Sequence, residues 1–90
     1  MSVQAITWAM AAACDSPLEK LLLIYLADWF GMRRTRRVNR DRLLEACCCT
    51  DLALMEAIRG LDLSGHIRFL AYSKEDVDIE LMAPREVSAS

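Results

Sequence analysis

Two capping residues constrain this chain more than any other feature. Asn39 and Thr50 each stand just ahead of a stretch with helical spacing. Both residue types cap helices by accepting a backbone N–H on a side-chain oxygen. A helix from Arg40 to about Cys47, with Leu43, Leu44 and Cys47 inward, must therefore end at once and a new one begin at Asp51. An acid there, in the first turn, suits the helix dipole. The second helix runs to about Leu63 on a core face of Leu54, Ile58 and Leu61, with Met55 beside them, and Ser64-Gly65 ends it. The result is two short helices joined by a tight turn.

The flanks complete the pattern. Val3 to Ala13 reads as a first helix. Ser16 is an N-cap, with Pro17 at the first helical position and Glu19 in the first turn of a second helix that stops at Gly31. Leu18, Leu21, Leu22, Tyr25, Leu26 and Trp29 give that helix a broad buried face, widened by Leu23, Ile24 and Phe30. Arg33 to Val38 is a small edge strand or a loop. His66 to Tyr72 alternates, with Ile67 and Phe69 one way and Arg68 and Leu70 the other. Val77 to Met82 alternates too, and the polar Ser73-Lys74-Glu75-Asp76 links the two runs as a β-hairpin. The expected fold class is α+β, mainly α: helix, helix, short strand, helix, turn, helix, hairpin, a winged helix-turn-helix. Residues 1–84 form the domain and 85–90 a frayed tail.

Several function classes lose ground on composition. The chain has 90 residues, 54% of them hydrophobic, so one folded core is expected. No apolar run reaches bilayer length, and Met1 to Gln4 lacks the basic region of a signal peptide, so the expected location is the cytoplasm, with no membrane partner. Cys47, Cys48 and Cys49 are consecutive, which suits neither a disulfide framework nor a zinc site; with Cys14 they read as small apolar core or turn residues, and the run of three as inert thiols. There is no Gly-rich phosphate loop, and His66 has no serine or cysteine partner at motif spacing. The reading is a non-enzyme with no cofactor and no small-molecule substrate. Trp8 and Trp29 read as core anchors.

Ser2-Val3-Gln4-Ala5-Ile6-Thr7-Trp8-Ala9, then Ser16-Pro17 and Lys20 to Asp28, resemble the start of phage- and prophage-type helix-turn-helix proteins, replication-initiator-like or regulatory. The likeness continues through Asn39 to Ala46, the Thr50-Asp51 cap, and Leu54, Ile58, Leu61, Gly65 and Ile67. It covers about residues 2 to 72. It implies a winged helix that binds double-stranded DNA in replication or transcriptional control. It also marks two departures. Cys48 stands where the family usually has glycine, and the recognition helix offers Leu52, Ala53, Met55 and Glu56 where basic or polar residues are usual.

Charge distribution supplies the rest. Net charge is only −2, yet six of the eleven basic residues lie between Arg33 and Arg42. Phosphate contact needs such clustering. The expected nucleic-acid contacts are Arg34, Arg36, Arg37, Arg40 and Arg42, with Thr50 and Arg59 on the recognition helix. The competing reading of the same arginines is a solvated loop paired with Glu45, Asp51 or the acidic hairpin. The competing function is a protein-interaction module or homodimer built on exposed Leu52, Met55 and Leu63. In that reading Met55 and Leu63 are alternatively extra core.

Overall fold

The computed structural model describes residues 3–30 and 35–83. Among them the elements run α1 (Val3–Ala11), α2 (Pro17–Phe30), β1 (Thr35–Asn39), α3 (Arg40–Cys47), α4 (Asp51–Leu63), β2 (Ile67–Tyr72) and β3 (Asp76–Leu81). This is an α+β arrangement with more helix than strand, its one antiparallel sheet ordered β1-β3-β2. No helix of the described residues is long and apolar enough to cross a membrane.

Local chemistry places the helix ends. The Asn39 and Thr50 side chains accept from the N–H groups of Arg42 (2.9 Å) and Ala53 (3.2 Å). Ser16 Oγ accepts from Glu19 N at 3.1 Å, and Glu19 Oε1 in turn accepts from Asp15 N at 3.3 Å. Helix α1 stops at Ala11, short of the expected Ala13. There Lys20 Nζ reaches across from α2 and donates to the carbonyls of Ala9 (3.1 Å), Met10 (2.8 Å) and Ala12, satisfying the orphan acceptors.

Helices α3 and α4 end alike. Cys48 N donates to Glu45 O and Cys49 N to Leu44 O; Gly65 N donates to Asp62 O and His66 N to Leu61 O. Both are Schellman closures, which put one residue in the left-handed region. At α4 that residue is Gly65, φ 86°; at α3 it is Cys48, φ 52° and ψ 49°.

Helix α2 is the central core helix, but its buried face is turned from the expected one. Leu22, Leu23, Leu26, Ala27 and Phe30 are buried, with Glu19 on the same face, while Leu21 is 39% exposed. The i, i+3, i+4 spacing fits either stripe in a helix this rich in leucine. The packing of α1 and α4 on either side selects one. Leu43, Leu54, Ile58, Leu61, Ile67, Val77, Ile79 and Leu81 complete the core, with Phe69 half-buried against it.

The basic segment is a strand from Thr35 onward. It pairs with β3, setting Arg36 opposite Ile79, Arg37 opposite Asp78 and Val38 opposite Val77. The hairpin departs from simple alternation. Phe69 pairs with Ile79 and Ala71 with Asp78, so Leu70 is an extra residue in a bulge. Beyond it the faces swap: Tyr72 lies opposite Val77, on the helix side, rather than on the outer face with Arg68.

Candidate nucleic-acid interface

The arginine cluster splits into two kinds. Arg37 is on the outer face of the sheet, where Nε donates to Asp78 Oδ1 at 2.9 Å and Nη2 to Oδ2 at 3.5 Å. The hydrogen bond and charge of Asp78 hold the guanidinium above its ordinary range. Arg40 is at the start of α3 and half-buried. One terminal nitrogen donates to the Tyr72 hydroxyl at 3.1 Å and lies 3.3 Å from Asp51 Oδ1, while the Tyr72 hydroxyl donates to that same carboxylate at 3.2 Å. The Tyr72 hydrogen bond, then the charge of Asp51, raises the Arg40 guanidinium against the opposing effect of burial. The Arg40 backbone N–H donates to Glu75 O at 2.7 Å. These two arginines are therefore paired with carboxylates, as the solvated-loop reading expected of Asp51 and the hairpin.

Arg36 and Arg42 are different. Arg36 donates to the carbonyl of Trp29 in the last turn of α2. Arg42 lies over the Trp29 ring, 4.5 Å from its centroid. Both side chains are exposed, and both partners are neutral. A carbonyl and an indole face attract a cation without cancelling its charge. Two guanidinium groups, each on a neutral partner among the described residues, thus converge on one half-buried tryptophan beside the N-terminus of α3. Trp29 also packs against Tyr25, 5.4 Å between ring centroids, and so serves as a platform as well as a packing residue. Arg33 and Arg34 lie outside the described residues.

The α4 residues fall otherwise than expected. Thr50 Oγ1 is committed to the cap. Arg59 is exposed on the outward face, where Leu52 is 70% and Leu63 80% exposed. Met55 is half-buried and does not belong to that exposed set, so of the three residues expected to be exposed only Leu52 and Leu63 are. Leu63 is not extra core. The loop from Ser73 to Asp76 closes on itself through Ser73 Oγ, which accepts from Asp76 N at 3.0 Å, and it brings Lys74 beside Glu75 and Asp76.

The remaining reactive side chains have structural duties. Ser64 Oγ lies 2.7 Å from His66 Nδ1, a pairing the sequence spacing did not reveal. The same hydroxyl donates to Leu61 O at 3.1 Å, and the imidazole meets Trp8 edge-on. Together they lock the corner from α4 into β2. All four cysteines are free. Cys47 is buried, and burial pushes its thiol up to about 11, the wrong direction for a nucleophile at neutral pH. Cys48 is exposed at the turn between α3 and α4, so of the two expected placements, core or turn, it takes the turn. Among the described residues no cluster of ligand side chains is arranged to hold a metal. Comparison with protein-family models, curated proteins and solved structures finds no match.

Proposed function

We propose that the chain is a winged helix-turn-helix domain that grips the phosphate backbone of double-stranded DNA and reads little or no sequence. In this reading α3 and α4 are the helix-turn-helix, and β2 and β3 the wing. Arg36 and Arg42 are the backbone contacts. One observation carries it: these two exposed cations converge on Trp29 with neutral partners, beside a helix N-terminus whose N–H groups also favour anions. Arg37 and Arg40 are secondary, because each already faces a carboxylate. Base readout by α4 has little support, since its outward face presents leucines and a glutamate, with Arg59 the one side chain suited to a guanine edge. The resemblance of the N-terminal phrase suggests a cytoplasmic role in phage or prophage replication or transcriptional control.

The test is binding to labelled duplexes of unrelated sequence at low and moderate salt. Binding should be salt-steep and similar for all duplexes. Arg36→Gln with Arg42→Gln should weaken it uniformly and flatten the salt dependence by roughly two in the log–log slope. Arg37→Gln should change the slope little. No binding at low salt, or an unaltered slope in the double variant, overturns the proposal.

A further inference from the structure

The outward face of α4 carries a row whose spacing is the same in both directions. Leu52, Glu56, Arg59 and Leu63 are all exposed and follow the spacing i, i+4, i+7, i+11. At about 100° per residue they fall within an arc of roughly 60°. The opposite face, Leu54, Ala57, Ile58 and Leu61, is buried in the core, so the row is not shared with the fold. Two leucines at 70% and 80% exposure at the ends of one helix, with one acid and one base between them, form a helix face on which none of the described residues packs closely enough to bury it.

Reversing α4 about the midpoint between Ala57 and Ile58 exchanges Leu52 with Leu63 and Glu56 with Arg59. We infer that this face takes a second copy of the same chain, α4 against α4, antiparallel about a two-fold axis. That apposition sets each Leu52 against a Leu63 of the second copy and each Glu56 against an Arg59. The spacing alternates four and three, which is the seam of a left-handed helix pair, and layers in an antiparallel pair match residues in this crosswise fashion. A parallel pairing would instead stack Glu56 on Glu56 and Arg59 on Arg59, which like-charge repulsion disfavours. Charge complementarity thus selects both the occupant and its direction, and a two-fold contact is self-complementary by construction. One helix pair of this length is at the small end of specific interfaces, so the dimer is a weak, reversible one. The inference shares no residue with the proposed phosphate contacts at Arg36 and Arg42, though it removes Arg59 from any base contact, so each of the two readings can fail while the other stands.

The experiment is sedimentation of the purified full chain over a concentration series reaching roughly 0.5 mM. The wild type should pass from monomer to dimer. Glu56→Arg alone and Arg59→Glu alone should each weaken association at least tenfold, because each faces like charges across the axis. The two single variants mixed should form a heterodimer, and the double exchange Glu56→Arg with Arg59→Glu should restore the homodimer. All these positions are exposed, so the far-ultraviolet dichroism and melting should stay close to wild type. A wild type that remains monomeric throughout overturns the inference. So does a dimer indifferent to both charge reversals, or single variants that do not recover on mixing.

Discussion

The guanidinium carbon of Arg42 lies 4.5 Å from the centroid of the Trp29 ring, joining the first turn of α3 to the last turn of α2. An exposed stack of this kind is worth about 0.5–1 kcal/mol. Arg42→Gln should lower stability by about that amount in the wild type, and by nothing measurable in a Trp29→Leu background. Urea midpoints of the four proteins measure the coupling. In a Trp8→Phe variant, where Trp29 is the sole fluorophore of its kind, adding duplex DNA should change the emission. An emission that stays constant while DNA binds elsewhere would remove Trp29 from the interface.

The hydroxyl of Tyr72 stands between Arg40 and Asp51. Tyr72→Phe removes the shared partner while keeping the ring over Arg40, so the loss should be about 1–2 kcal/mol. The melting temperature should fall with no change in secondary structure. An unchanged melting temperature would show that Arg40 and Asp51 pair well enough alone.

Gly60 of α4 faces the buried carboxylate of Glu19, and a Cβ there would come within 2.8 Å of Glu19 Cδ. Glycine inside a helix is about 1 kcal/mol worse than alanine, so Gly60→Ala has two opposing effects. With Glu19 held by Asp15 N, crowding should win, and Gly60→Ala should destabilise by about 1–2 kcal/mol. In a Glu19→Ala background the same change should stabilise by up to about 1 kcal/mol. If Gly60→Ala stabilises the wild type, the carboxylate gives way freely and the close approach of α2 to α4 is not what keeps the glycine.

Cys48 and Gly65 occupy the same position in two equivalent helix ends. A non-glycine residue in the left-handed region is strained by about 1–2 kcal/mol, offset in part by the extra unfolded-state freedom glycine brings. Cys48→Gly should therefore stabilise by about 0.5–1 kcal/mol, and Cys48→Val should destabilise. Gly65→Ala meets no atom within 4 Å, so its loss, about 1 kcal/mol, should come from φ alone. A neutral Cys48→Gly would mean that the turn opens at little cost.

Cys47 titrates high because it is buried, with the neighbouring thiols Cys49 and Cys48 adding to the effect. Its ordinary value is 9.0 and its folded value about 11, so the folded state holds the proton more tightly than the unfolded one. The resulting stability is fully present below pH 9 and is lost as pH rises toward 11. Stability of the wild type should fall more steeply across that window than that of Cys47→Ala. Parallel curves would show that the thiol is not protected in the folded chain. At pH 8 a thiol reagent should modify Cys48 first and Cys47 only on unfolding.

Much of the fold was legible because its signals are local. Ser16-Pro17, Asn39 and Thr50 place three helix starts within one or two residues, since a cap bonds to N–H groups three positions away and needs no distant partner. Gly65 marks an end for the same reason. The exposed Leu52 and Leu63 were also within reach, because the core face of α4 defines the opposite face by periodicity.

The rest depended on contacts between segments far apart in the chain. Whether an arginine is free or paired is decided by the strand register that sets Arg37 opposite Asp78, and no property of residues 33–42 alone fixes that register. The bulge at Leu70 turns Tyr72 to the helix side, where it meets Arg40 and Asp51; without that extra residue, strict alternation would have placed it on the other face. Which stripe of α2 is buried followed from where α1 and α4 pack, because a leucine-rich helix offers two stripes of equal quality. Sequence determined where α2, α3 and α4 begin and where α4 ends, through bonds spanning a few residues. Tertiary structure decided which arginines are paired with a carboxylate, because pairing is a relationship across space.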